Sequence, residues 1–356
     1  MDFEKLNSLT EPLCDRSMRA ARAKWDNVAK PLGSLGRFED MVTRLAGIYE
    51  TPDVRVNKKG VLVLCGDNGV LAQGVATTAG EVTAIMAEFI ADGRSSVCRM
   101  AKTAGADIIA VDMGMFRRVN AEKLINRRVS DGTNDFTCGS AMTREQALQA
   151  VNTGIELVKS CAEQGYKILA TGEMGIGNTT TSSAIATVLL RLNPKEATGR
   201  GVGLSDDGLA RKISAVEKGI RINSPDKNDA LDVLYKLGGF DIAGLTGIFI
   251  GGAVYRIPIV IDGFISSVSA LLAVRLCPRV IDFIFPSHVS AEPAGGAVLN
   301  ALGFEPFITA DMRLGEGTGA VCMFPLLDMI LSVYHTACTY ADIGISGKPH
   351  HGDSGQ

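Results

Sequence analysis

Apolar runs that end in glycine-bearing loops and give way to helical patterns recur along this chain. Residues 60–70 (GVLVLCGDNGV) read as a buried strand and its loop, and EVTAIMAEFIADG continues as a helix. ADIIAVDMGM (106–115) is a second strand of this kind, and YKILATGEMGIGNTTTSSAIATVLLRL (166–192) is strand, glycine loop and helix in one stretch. IPIVIDGFISSVSALLAV repeats that order, and residues 305–333, EPFITADMRLGEGTGAVCMFPLLDMILSV, read as a further case. Thr143 and Gln146 form a capping-box pattern that opens a helix, and Gly165 closes it. Continuous apolar strands alternating with helices predict an α/β fold: a doubly wound, Rossmann-like parallel sheet flanked by helices. In such sheets ligands lie beyond the carboxyl ends of the strands, which predicts one shared site where the loops gather.

No period of 20 to 50 residues repeats, which removes solenoids and propellers. Residues 1–55, rich in helix formers and holding Trp25, the only tryptophan, read as a helical cap, part of a small second lobe. Residues 56–325 read as the α/β domain, 326–346 as C-terminal helices joining the small lobe, and 347–356 as a loose tail. His350 and His351 in that tail read as a chance pair rather than a metal site.

Composition narrows the partners. At 356 residues the chain is long enough for one large domain or two, and 46% hydrophobic with 21% charged residues places it among folded proteins, away from disorder. A formal net charge of -3 without a basic run argues against nucleic acid. The apolar zone 247–274 is interrupted by Arg256 and Asp262, which argues against a membrane span, and the acidic N-terminus lacks the apolar core of a signal peptide. Eight cysteines with no C-x-x-C and no His at zinc-ligand spacing read as reduced thiols of a cytoplasmic protein, with no metal. The excess is glycine: 40 residues, about 11% where 7% is usual.

Those glycines sit in the loops that carry chemistry. Thr171–Thr180 (TGEMGIGNTT) lies between a strand and a helix, where glycines, free helix N–H groups and Thr hydroxyls suit a phosphate; a plain glycine turn with a Thr cap is the alternative. The spacing matches neither a Walker loop nor a G-x-G-x-x-G fingerprint. In Arg313–Ala320 (RLGEGTGA), Glu316 stands among glycines with little beside it to pack against, so it is the best acid/base candidate; a Glu placed by the helix dipole is the alternative. Glu173 is a second carboxylate at the same predicted sheet edge. Lys212 follows GRGVGLSDDG and offers a point charge, and Ser287–Glu292 (SHVSAE) offers hydroxyls, His288 and a carboxylate. Residues 33–37 (GSLGR) and 66–69 (GDNG) are loops of the same character. There is no G-x-S-x-G, H-E-x-x-H or EF-hand pattern. A phosphate-bearing small substrate and a carboxylate base remain, which suits displacement at a sugar anomeric carbon.

Taken together, PLGSLGRFE (31–39), GDNGV, VDMGM, GEMGIGNTT, LGGFDIAGLTG (237–247), IDGFISS, SHVSAE and RLGEGTGA resemble the nicotinate-nucleotide:dimethylbenzimidazole phosphoribosyltransferase family over nearly the whole chain. The resemblance implies transfer of a 5-phosphoribosyl group from nicotinate mononucleotide to an aromatic base, giving the α-riboside phosphate of a cobamide lower ligand and releasing nicotinate, without a cofactor. It implies Glu316 as general base and Glu173 beside the reacting centre. It places Gly175, Gly177, Lys212 and Ser290 at the phosphate or ribose, beside Asn178 and Thr179 of the loop read above as a phosphate cradle, with Gly315 and Gly317 in the loop at the same site. It also implies a homodimer, for which the apolar 244–274 zone is an interface candidate.

The acceptor pocket departs from the family pattern. A Gln that hydrogen-bonds the benzimidazole in studied relatives falls on Met86 here, a serine falls on Thr78, and Leu314 completes the pocket. Asn68 stands where many members have His. A thioether does not reproduce an amide hydrogen bond, so adenine or a phenol joins dimethylbenzimidazole as a candidate acceptor. The alternative role is a partner subunit of a heteromeric enzyme of this family, a heterodimer with a paralogue, weakly active alone. A phosphoribosyltransferase using the pyrophosphate donor fits less well, because IIAVDMGM lacks that motif's second acid and its Thr-Gly phosphate loop.

Overall fold

The computed structural model describes residues 2–201 and 203–345, so the expected loose tail and its two histidines lie outside the described residues. Six strands, β1 (Lys59–Gly66), β2 (Ala106–Gly114), β3 (Ile125–Asn126), β4 (Ile168–Met174), β5 (Ile259–Val260) and β6 (Ile284–Phe285), form one sheet in the order β3-β2-β1-β4-β5-β6. Every pairing is parallel. This is the doubly wound order, with its reversal between β1 and β4. All eight residues of β1 are buried, as its unbroken apolar pattern requires in a sheet covered on both faces.

Helices follow from local signals. Thr143 Oγ1 accepts from the Gln146 amide at 3.1 Å while Gln146 Oε1 accepts from the Thr143 amide at 2.9 Å, which starts the helix Arg144–Glu163. Gly165, at φ +82°, follows its end. The helix Phe240–Val254 packs against this one so closely that a Cβ on Gly247 would lie 1.9 Å from the Val151 carbonyl oxygen. That helix and Phe264–Leu276 are buried almost throughout, which overturns the expectation that 244–274 is an outer interface: the zone is apolar because it is interior. The expected strand near residue 305 reduces to one parallel bridge between His288 and Ile308, since Pro306 and the charges around it interrupt the apolar run.

The larger of two compact units holds the sheet and spans Lys58–Met323 together with the N-terminal segment through Glu11. The first helix, Phe3–Leu9, therefore belongs with this unit and not with the cap assigned to residues 1–55. Among the described residues, the smaller unit takes Pro12–Asn57 and 324–345. In it lie the helices Asp15–Asn27 and Arg37–Tyr49; the first carries Trp25, whose buried ring lies 4.8 Å from that of Tyr334. A 2.6 Å ion pair between Lys30 and the buried Glu39 holds the loop carrying GSLGR, whose Leu35 amide donates to the same carboxylate. The segment expected as separate C-terminal helices begins inside one continuous helix, Thr318–Thr336. Among the described residues this is the one helix long and apolar enough to cross a membrane, and half of its most apolar window is buried. All eight cysteines are free.

Candidate active site

A cavity of about 330 Å³ opens at the carboxyl ends of β4, β5 and β6, within the larger unit. Its floor is the β4 loop, with Glu173, Gly175, Gly177, Asn178 and Thr179. Ser290 enters from the loop after β6, and Leu314, Gly315 and Glu316 from the glycine-rich loop before the last helix. Thr78 and Met86 form an apolar wall with Val75, Val82 and Ile176. Lys212 reaches in from the helix Asp206–Asn223. The structure thus gathers residues far apart in sequence. Gly317 is the exception: it does not line the cavity, and its amide donates to Asp262 Oδ2 at 3.1 Å, so it shapes the loop from behind.

Lys212 is the buried cation of the cavity. Its fully buried ammonium donates to Thr179 Oγ1 at 2.8 Å and to the Gly199 carbonyl at 3.0 Å, leaving one proton for a ligand. Burial lowers its pKa to about 8, a cost that an incoming anion reverses. The helix Asn178–Leu190 begins beside it with its positive dipole end at the cavity. A cation, a hydroxyl and a helix start on one wall suit a phosphate.

Glu316 and Glu173 both line the cavity. Glu316 is 5% exposed and its Oε2 accepts from the Val97 amide at 3.4 Å, in the first turn of the helix Ser96–Ala104. Burial raises its pKa, opposed by the Val97 and Ser95 hydrogen bonds. Its backbone is left-handed, at φ +60° between Gly315 at +82° and Gly317 at +96°, an arrangement a non-glycine residue adopts at a cost. Close approach explains the glycines around it. A Cβ on Gly315 would lie 2.6 Å from Glu173 Oε1, and one on Gly172 would lie 2.4 Å from the Glu316 carbonyl oxygen. The Glu316 loop therefore approaches β4 and the Glu173 carboxylate only because side chains are missing at Gly172 and Gly315.

Glu173 accepts from Asn178 Nδ2, which also donates to Asp241 Oδ2 at 2.9 Å. Burial, first of all, raises Glu173 to about 8 and Asp241 to about 6. A carboxyl whose folded pKa lies above its unfolded value stabilises the fold below the unfolded value, near 4.5, and loses that contribution as pH rises to about 8. Glu173→Gln, neutral throughout, is accordingly expected to match the parent in Tm at pH 5 and to exceed it by about 2 °C or more at pH 8.5. A Tm difference independent of pH removes this account of Glu173.

One feature escaped the sequence motifs. Asp262, immediately beyond β5, lines the cavity and accepts from the Gly319 amide at 2.8 Å and the Ala320 amide at 3.0 Å besides that of Gly317. Its place at a strand's carboxyl end was the available signal. His288 is buried beside it with Nδ1 3.0 Å from Ser287 Oγ; burial pushes Asp262 up and His288 down, each opposed by the other's charge. Asn68 is a buried strut outside the cavity, its Oδ1 accepting from Thr181 Oγ1 at 3.1 Å. No cluster of three or more His, Cys, Asp or Glu among the described residues is placed to hold a metal ion.

Residues 10–345 match a family model described as a phosphoribosyltransferase. The chain is 47% identical over 96% of its length to the nicotinate-nucleotide–dimethylbenzimidazole phosphoribosyltransferase of Acetivibrio thermocellus, covering 97% of that protein. It is 42% identical over 95% of its length to the protein of the same name from Roseiflexus sp., covering 96% of it. Among solved structures it is similar to CobT from Thermus thermophilus, with a TM-score of 0.88 at 34% identity, covering 93% of this chain and 99% of that one.

Proposed function

The chain belongs to the nicotinate-nucleotide–dimethylbenzimidazole phosphoribosyltransferase family, and from that membership we propose how its own residues carry out the transfer and which acceptors it takes. It moves the 5-phosphoribosyl group of nicotinate mononucleotide to an aromatic base, giving an α-riboside phosphate and nicotinate. The observation that carries the assignment of residues is a single cavity lined by both the buried Lys212 ammonium and the buried Glu316 carboxylate.

The donor phosphate binds the free proton of Lys212, Thr179 and the loop of Gly175 and Gly177, with Ser290 alongside. The C1′–nitrogen bond to the pyridinium breaks as the acceptor's ring nitrogen or oxygen bonds to C1′ from the opposite face. The pyridinium takes the bond electrons and leaves as a neutral ring, so it needs no general acid. The acceptor's proton passes to Glu316, whose raised pKa makes it a stronger base than an exposed carboxylate. Glu173, protonated near neutral pH, stands beside the oxocarbenium-like centre without adding a second full charge to Glu316.

The acceptor lies between Met86, Thr78 and Leu314. The Thr78 hydroxyl is buried without a hydrogen-bond partner and suits an acceptor heteroatom, whereas Met86 offers only a polarizable apolar contact. This pocket favours adenine or a phenol as well as dimethylbenzimidazole. The purified chain alone, given nicotinate mononucleotide and all three acceptor classes together, is expected to form ribosides identifiable by mass; turnover only after a second polypeptide is added would establish the heteromeric reading instead. Met86→Gln is expected to shift the competition toward dimethylbenzimidazole by about 3–10-fold, the scale of one added hydrogen bond. An unchanged product ratio removes Met86 from acceptor choice. We place the enzyme in the cytoplasm, in keeping with its free thiols, and as a homodimer joined through a surface other than the interior 244–274 zone.

A further inference from the structure

The loop after β6 ends in a carboxylate that the transfer chemistry does not use. Glu292 is 9% exposed and lines the cavity, and its amide donates to Ser290 Oγ at 3.3 Å. Its Oε2 is sealed from water with no hydrogen-bond partner, 2.1 Å from where a Cβ on Gly199 would stand. The carbonyl of the same Gly199 accepts from Lys212 Nζ at 3.0 Å, so carboxylate and ammonium flank one peptide unit at the phosphate end. Lys212 spends two of its protons on Gly199 and Thr179. Glu292 is therefore a buried acceptor short of donors, a state that costs free energy unless a ligand supplies them.

The chemistry of the donor leaves few candidates. At neutral pH the phosphate and the nicotinate carboxylate accept hydrogen bonds and repel a second carboxylate, and the pyridinium ring carries no O–H or N–H. The acceptor's proton is directed to Glu316. The groups that remain are the 2′ and 3′ hydroxyls of the ribose, next to the phosphate along the donor. Resting on the donor assigned above, we propose that Glu292 receives the ribose hydroxyls and makes the site select ribonucleotides over deoxyribonucleotides. The carboxylate accepts, the hydroxyls donate, and Lys212 beyond them offsets its charge against the phosphate.

The test is calorimetric binding of nicotinate mononucleotide and of its 2′-deoxy and 3′-deoxy counterparts to the full chain, to Glu292→Gln and to Glu292→Ala, with turnover of the ribonucleotide measured in parallel. The parent is expected to bind the ribonucleotide about 10²-fold tighter than at least one deoxy form, and Glu292→Ala to reduce that ratio to about 3-fold or less, with Glu292→Gln between. Because each ratio is taken within one protein, a general loss of stability does not mimic the effect. A parent that binds ribo and deoxy forms equally, or an alanine variant that keeps the parent's ratio, overturns the proposal. Binding discrimination without any turnover would leave Glu292 in this role and overturn the transfer reading, so the two failures are separable.

Discussion

Glu316→Gln is expected to lower kcat by about 10²–10⁴-fold, the span that loss of a positioned general base covers, while donor binding stays within about 2-fold. The substitution keeps the shape that fits the left-handed turn between Gly315 and Gly317, and it leaves an oxygen for the Val97 amide, so the loop has no cause to move. What disappears is the ability to take a proton. The deficit is therefore expected to depend on the acceptor. A phenol acidic enough to be ionised at the assay pH needs no base, and the variant should transfer to it at close to the parent's rate, whereas a weakly acidic acceptor should show the full loss. Steady-state kinetics over a series of phenols of graded acidity, with dimethylbenzimidazole as the reference, reads this directly. A uniform loss across the series would point to a binding role and take proton transfer away from Glu316.

The sheet was readable in the sequence because its central strands are largely buried, so each appears as a mainly apolar run leading into a glycine-bearing loop. GVLVLCG, ADIIAVDMG and ILATGEM became β1, β2 and β4 on that pattern alone. β5 was read within IPIVIDG, whereas β3 and β6 were not, since two paired residues leave little periodicity to see. Glu316 stood out for a related reason, being a carboxylate among glycines, although the cause lies in geometry that spacing does not reveal. Those glycines permit three successive left-handed residues and let the loop approach β4 and Glu173 within ångströms. The 244–274 zone misled because an interface and an interior share one apolar composition; burial against the helix Arg144–Glu163 distinguishes them. Asp262 and Glu292 went unassigned because one acidic residue in an apolar or mixed stretch carries no pattern. Their meaning comes from what the fold places around them: one loop amide and two helix-start amides for Asp262, and an unpartnered buried oxygen at the Gly199 peptide that Lys212 also contacts for Glu292.

Asp262→Ala is expected to produce the largest combined loss of stability and rate. One buried carboxylate collects the amides of Gly317, Gly319 and Ala320, and in doing so caps the helix Thr318–Thr336 and ties down the turn that holds Glu316. Alanine leaves three buried donors facing a void and leaves His288 without its neighbouring charge. That places the cost near 3–5 kcal/mol and the fall in Tm at about 6 °C or more. The consequence for catalysis follows from position. A shift of about 1 Å in the Glu316 carboxylate is enough to cost about 10²-fold in rate, so kcat should fall on that scale while the donor KM, set at the Lys212 end, stays within about 3-fold. Asp262→Asn, which keeps one acceptor oxygen but turns an N–H toward an amide, should fall between the parent and the alanine variant in both measures. Measured below the lowered Tm, a stable fraction of Asp262→Ala with parental kcat would mean that the loop holds its shape without the carboxylate, and the positioning role assigned to Asp262 would not survive.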